Sequence, residues 1–145
     1  MNAKSRWIQN DWSGDADEPT PEWASEMVRE VLGERQGLPS IKWYHDADWE
    51  CGMCHFWDSL PWLSIVSKTT DRTDDNCMVL LHELAHVILG PPRRSVKRYH
   101  TPDFWDVCIP LYERHGLLEH AAKHESYAGG RKRAAKRLAE AKEVA

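Results

Sequence analysis

Between residues 75 and 89 the chain offers almost no polar face. Met78, Val79, Leu80, Leu81, Leu84, Ala85, Val87, Ile88 and Leu89 surround nearly the full circumference of the helix that this stretch predicts. A helix apolar all round has to be buried, so any fold open to the chain must wrap this segment. Thr73, Asp74 and Asp75 are candidates for its N-cap, and Gly90 followed by Pro91 and Pro92 stops it. Past its first turn, three polar residues nevertheless lie inside it: His82, Glu83 and His86. Placing two imidazoles and a carboxylate among aliphatic side chains without partners is expensive.

A metal ion accounts for all three. Histidines four residues apart stand one above the other on the same helix face. Their ring nitrogens can converge on one ion at about 2.0–2.1 Å. Glu83 projects about 100° further round the axis, within reach of a water on that ion. Eight histidines in 145 residues produce a His-Glu-x-x-His string by chance about 4% of the time, before any demand for a capped, buried helix. The ordinary alternative is a pair of core histidines beside a solvent-facing glutamate.

A catalytic centre also needs a third protein ligand and an open position for water. The metzincin pattern requires glycine three residues and histidine six residues after His86. Leu89 and Pro92 stand there, which excludes it. His100 is the best-placed candidate: it follows a loop long enough to fold back, and Thr101-Pro102-Asp103 predicts a helix start that holds it. Its rivals are His115, His120, His124, Glu113 and Glu119.

The remaining pattern predicts an α+β domain. Thr20 as N-cap, Pro21 at the first helical position and the stripe Trp23, Met27, Val31 predict a helix that ends at Gly33. Residues 41–44, 53–57 and 62–67 read as short strands, the second and third antiparallel. After Thr101 a helix with inner face Phe104, Val107, Cys108, Leu111 and Tyr112 is expected, kinked or ended early by Pro110 and interrupted at Gly116. Residues 117–127 suit another helix, Gly129-Gly130 a break, and the stretch from Arg131 a helix with little to bury. This divides the chain into an acidic arm (1–20), a domain (21–127) and a basic tail (128–145).

The formal net charge is −4. Basic groups gather at Arg93, Arg94, Lys97 and Arg98 and again over residues 131–137, which raises nucleic acid as a partner. With the chain acidic overall, solvated charge, with the tail facing the acidic arm, is the favoured reading. No run approaches the roughly 20 apolar residues of a membrane span. Residues 1–14 lack the apolar core of a secretory signal. A cytoplasmic protein with reduced cysteines is expected. Cys51 and Cys54 invite a second metal site, but the spacing equally suits a strand, and Cys77 and Cys108 occupy places for small apolar residues.

His82-Glu83-Leu84-Ala85-His86, a loop, and then His100-Thr101-Pro102-Asp103-Phe104 resemble the SprT-like group of small zincin metallopeptidases, over about residues 40–115. The resemblance implies a minimal zincin-like fold, with a small, mostly antiparallel three-stranded sheet packed on the buried helix. It implies one catalytic zinc ion held by His82, His86 and His100, Glu83 as the base, and a protein or peptide substrate. The substrate would add as a strand at a sheet edge near residues 53–57 or 62–67. Two departures stand out: Thr101 replaces the usual glycine, and no cysteine-rich zinc ribbon follows. Tyr99 and Tyr112 lie near the site in sequence and are candidates to stabilise an oxyanion, with plain packing as the alternative. Competing functions are a repressor-cleaving peptidase of the ImmA/IrrE kind, with a downstream carboxylate as third ligand, and a non-catalytic binding or inhibitor protein stapled by zinc.

Overall fold

The computed structural model describes residues 15–34, 37–48, 50–56, 60–91 and 99–144. The chain divides into two compact units, Met1–Leu84 and Ala85–Ala145. Most of the acidic arm, the end of the second expected strand at Trp57 and the basic loop 93–98 lie outside the described residues.

In the first unit, helix α1 (Glu22–Leu32) buries Ala24, Met27 and Val28 and ends at Gly33, whose φ of 79° suits only glycine well. Its start differs from expectation. Pro21, not Thr20, is the N-cap, with no side-chain cap bond. The Thr20 hydroxyl instead donates to the carbonyl of Ile41 at 2.8 Å. That bond fastens the helix start to the first strand. Trp23 donates its indole N–H to Thr70 O at 2.8 Å and meets Trp43 edge-on, centroids 5.9 Å apart.

Three strands follow: β1 (Ser40–His45), β2 (Cys51–His55) and β3 (Trp62–Ser67), in the order β1-β3-β2. β2 and β3 form the expected antiparallel pair, with Cys54 opposite Leu63. β1, however, runs parallel to β3, with Trp43 opposite Ile65. The sheet is therefore mixed. A parallel pair needs a long connection, and here that connection contains β2, which takes the other edge of β3. β3 then lies in the middle, buried from Leu63 to Ser67, as a strand covered on both sides should be. The second strand begins two residues earlier than expected, because Cys51 and Gly52 pair with Val66 and Ile65. The free edge of β1 is partly occupied: the amides of Asp17 and Glu18 donate to Trp43 O, and the Asp17 carboxylate accepts from His45 N.

Helix α2 (Asp74–Leu89) begins in the first unit. Thr73 caps it by accepting from Asn76 N at 3.1 Å. The buried Asn76 amide is itself satisfied by Thr69 O and Asp71 O. Leu80, Leu81, Leu84 and Ala85 are fully buried. Against the expectation of burial all round, Ile88 and Leu89 in the last turn are 44% and 43% exposed.

The second unit carries α3 (Pro102–Arg114), α4 (Leu118–His124) and α5 (Ala128–Val144). Pro110 does not end α3 early. It removes one N–H from the ladder, while the buried Cys108, Ile109, Leu111 and Tyr112 hold the helix through it. α3 stops instead at a two-bond Schellman cap: Gly116 N bonds Glu113 O, Leu117 N bonds Tyr112 O, and Gly116 has φ 71°.

Gly129 and Gly130 do not break the chain. They lie in the first turn of α5, and Gly130 is there for space. A Cβ on it would come within 2.5 Å of the Trp105 ring and 2.7 Å of Glu125 Cγ. Arg137 grips both oxygens of Glu113 on α3 at 2.6 and 3.0 Å, and Arg133 lies 3.7 Å from Asp106. Among the described residues no helix is long and apolar enough to cross a membrane.

Candidate metal centre

α2 is continuous through His82 and His86, so helix geometry alone puts both rings on one face. His100 arrives from the other side of Gly90. It sits immediately before Thr101, whose hydroxyl caps α3 by accepting from Phe104 N at 3.4 Å, with Pro102 at the first helical position. That cap sets the direction in which the chain carrying His100 leaves. Replacing Thr101 by Ala is expected to cost about 1 kcal/mol of stability through the lost cap. A urea titration of the metal-free protein checks it. An unchanged midpoint would show that Pro102 suffices.

His100 Nε2 stands 3.2 Å from His86 Nε2. One ligand nitrogen from each of His82, His86 and His100 can be chosen so that all lie within 4.8 Å of one another. Two nitrogens bound to one tetrahedral ion at about 2.0–2.1 Å are separated by about 3.3 Å, so the His86–His100 spacing fits a shared ion. Three imidazoles suit zinc and its first-row neighbours and do not suit magnesium or calcium, which take oxygen donors. The group can hold a metal ion, and among the described residues it is the one such cluster of three or more ligands.

The rings are held by other rings. His86 stacks on Phe104 with centroids 4.2 Å apart, and His100 meets the same Phe104 edge-on at 5.0 Å. Tyr127 stacks on His100 at 3.7 Å and 27°.

Glu83 is only 4% exposed. β2 passes directly over it: a Cβ on Gly52 would fall 2.8 Å from both Glu83 Cγ and Val79 Cγ1. Nearby, burial pushes the Cys54 thiol well above its ordinary pKa, and the Glu83 charge pushes it further. A thiol held protonated is a poor metal ligand, and Cys51, Cys54, Cys77 and Cys108 are all thiols. The two cysteines of β2 pair in register with Val66 and Leu63 of β3, and among the described residues neither joins a cluster of three or more ligands.

No family model, curated protein or solved structure matches the chain. The chemistry has to be read from the residues themselves.

Of the candidate site residues, His82, His86 and His100 come together. The rival ligands do not join them: His115 Nδ1 donates to Leu111 O at 2.9 Å, His120 pairs with His124, and Glu113 is taken by Arg137. Tyr112 is fully buried and donates its hydroxyl to the buried Glu125, which removes it from any role towards an oxyanion. Tyr99, beside His100, is 51% exposed. Residues 62–67 form the central strand, so of the two expected substrate edges only that of β2 remains. Tyr127 had no signal of its own in the sequence: it stood at the end of the helix expected over 117–127, just before the break expected at Gly129-Gly130. Only the unexpected start of α5 at Ala128 brings it over His100.

Proposed function

We propose that this chain is a zinc-dependent peptidase that hydrolyses a cytoplasmic protein, related to the SprT-like zincins that residues 82–104 resemble. The observation that supports it most is the 3.2 Å approach of His100 Nε2 to His86 Nε2, with a buried glutamate beside His82 on the same helix. His82, His86 and His100 would hold the ion. When bound, zinc supplies Lewis acidity, polarising a carbonyl and lowering the pKa of a water to about 7.

The chain's own chemistry falls to Glu83. Its carboxylate accepts a proton from the attacking water and returns it to the departing amine, so that one peptide bond and one water become an acid and an amine. Burial raises the value of that carboxylate as a base by keeping competing water away. β2, the sheet edge passing over Glu83, suits an extended peptide paired as an additional strand. The repressor-cleaving alternative requires a downstream carboxylate as third ligand, and Glu113, its nearest candidate on α3, is engaged by Arg137.

The purified chain is expected to carry one zinc per molecule by elemental analysis. Stripping the metal with a chelator should abolish hydrolysis of an unfolded, fluorescently labelled protein, and one equivalent of zinc should restore it. Hydrolysis that survives full removal of the metal, or a chain that takes up no metal, overturns the proposal.

A further inference from the structure

The stretch joining α4 to α5 is fastened at several points, all within the second unit. The buried Glu125 accepts a hydrogen bond from the Tyr112 hydroxyl of α3. The Glu125 carbonyl accepts from Arg131 Nη1 at 2.6 Å, and Arg131 N donates to Tyr127 O at 3.1 Å. Gly130 brings the first turn of α5 against the Trp105 ring so closely that no Cβ fits. Between these anchors stands Tyr127. Its ring lies 3.7 Å from the His100 ring at 27°, yet the residue remains 45% exposed.

An exposed tyrosine held this firmly is not filling a core. His100 differs from His82 and His86 in lying outside α2: it precedes α3, next to Thr101, whose hydroxyl caps that helix. Phe104 touches it edge-on at 5.0 Å and Trp105 is stacked further off, at 5.9 Å and 30°, so among the described residues the closest face-to-face contact comes from Tyr127. We propose that Tyr127 is a positioning residue for the third metal ligand: its ring covers one face of His100 and holds the imidazole turned towards His86. The α4–α5 junction is then part of the metal site. This rests on the metal-centre reading above, and it concerns the affinity of the site rather than the reaction.

Two variants separate ring from hydroxyl. Tyr127→Phe keeps the stack and is expected to bind zinc within about twofold of wild type in competition with a chromophoric chelator. Tyr127→Ala removes the stack and is expected to weaken zinc binding by about 10–100-fold, the usual penalty for losing support around a metal ligand. It should also alter the visible spectrum of the cobalt-loaded protein. Because Tyr127 is half exposed, the thermal midpoint of the metal-free Tyr127→Ala chain should stay near that of wild type.

A readout that needs no metal is the NMR spectrum of the metal-free chain. The His100 ring protons, shielded by a phenol stacked on them, should lie upfield in wild type and Tyr127→Phe and move downfield in Tyr127→Ala. Equal zinc affinity in wild type and Tyr127→Ala overturns the role of Tyr127 alone, as does an unchanged His100 resonance. A wild-type chain that binds no metal overturns the metal-centre reading, and this inference with it.

Discussion

Glu83→Gln should bind one zinc, keep its fold and lose hydrolysis by about 10²–10⁴-fold in kcat, the range that a general base contributes. The barrier rises by about 3–5 kcal/mol. The amide has nearly the shape of the carboxylate, so the contacts of Glu83 with Val79 and β2 survive, while the ability to accept a proton from water is gone. KM should change little, because the base acts in the transition state and not in binding. Paired zinc analysis and steady-state kinetics on the same preparations check this. Retained hydrolysis would move the base elsewhere. If no hydrolysis occurs in either protein but a partner binds both equally, the zinc is a staple in a binding protein.

What the sequence revealed of this site and what it concealed divide along physical lines. The α2 helix was legible because its signals are local: an apolar circumference, Thr73 to cap it and Gly90 to stop it. His100 was legible for the same reason, since Thr101-Pro102 writes a helix start into adjacent residues. The parallel pairing of β1 with β3 was not, because it depends on which edge of β3 the intervening hairpin leaves open. Thr20 misled because a hydroxyl that can cap a helix can also bond a neighbouring strand, and only the position of Ile41 decides between them. Gly129-Gly130 looks like a break until Trp105 is placed against it. That misreading also hid Tyr127. In each case the missing information was a partner far along the chain.

Gly52→Ala should leave zinc content at one per chain and reduce kcat by about 10²-fold, the loss that an error near 1 Å in a catalytic group can cause. Gly52 belongs to β2, opposite Ile65, and its backbone passes α2 with no room for a methyl group. The new carbon would stand 2.8 Å from Glu83 Cγ and 2.8 Å from Val79 Cγ1. Neither is the loose end of a flexible chain: Val79 is stiff at its branch point, and Glu83 Cγ carries the reacting carboxylate. Overpacking of this kind costs about 1–3 kcal/mol of stability, visible as a lower urea midpoint. A second substitution separates strain from misplacement. Val79→Ala in the Gly52→Ala background removes one of the two collisions, so stability should recover in part while kcat stays low, because the methyl still displaces Glu83. If Gly52→Ala turns over at the wild-type rate, β2 does not set the position of the base. If the double variant recovers both stability and kcat together, packing against Val79 accounts for the whole effect and the close approach to Glu83 has no catalytic consequence.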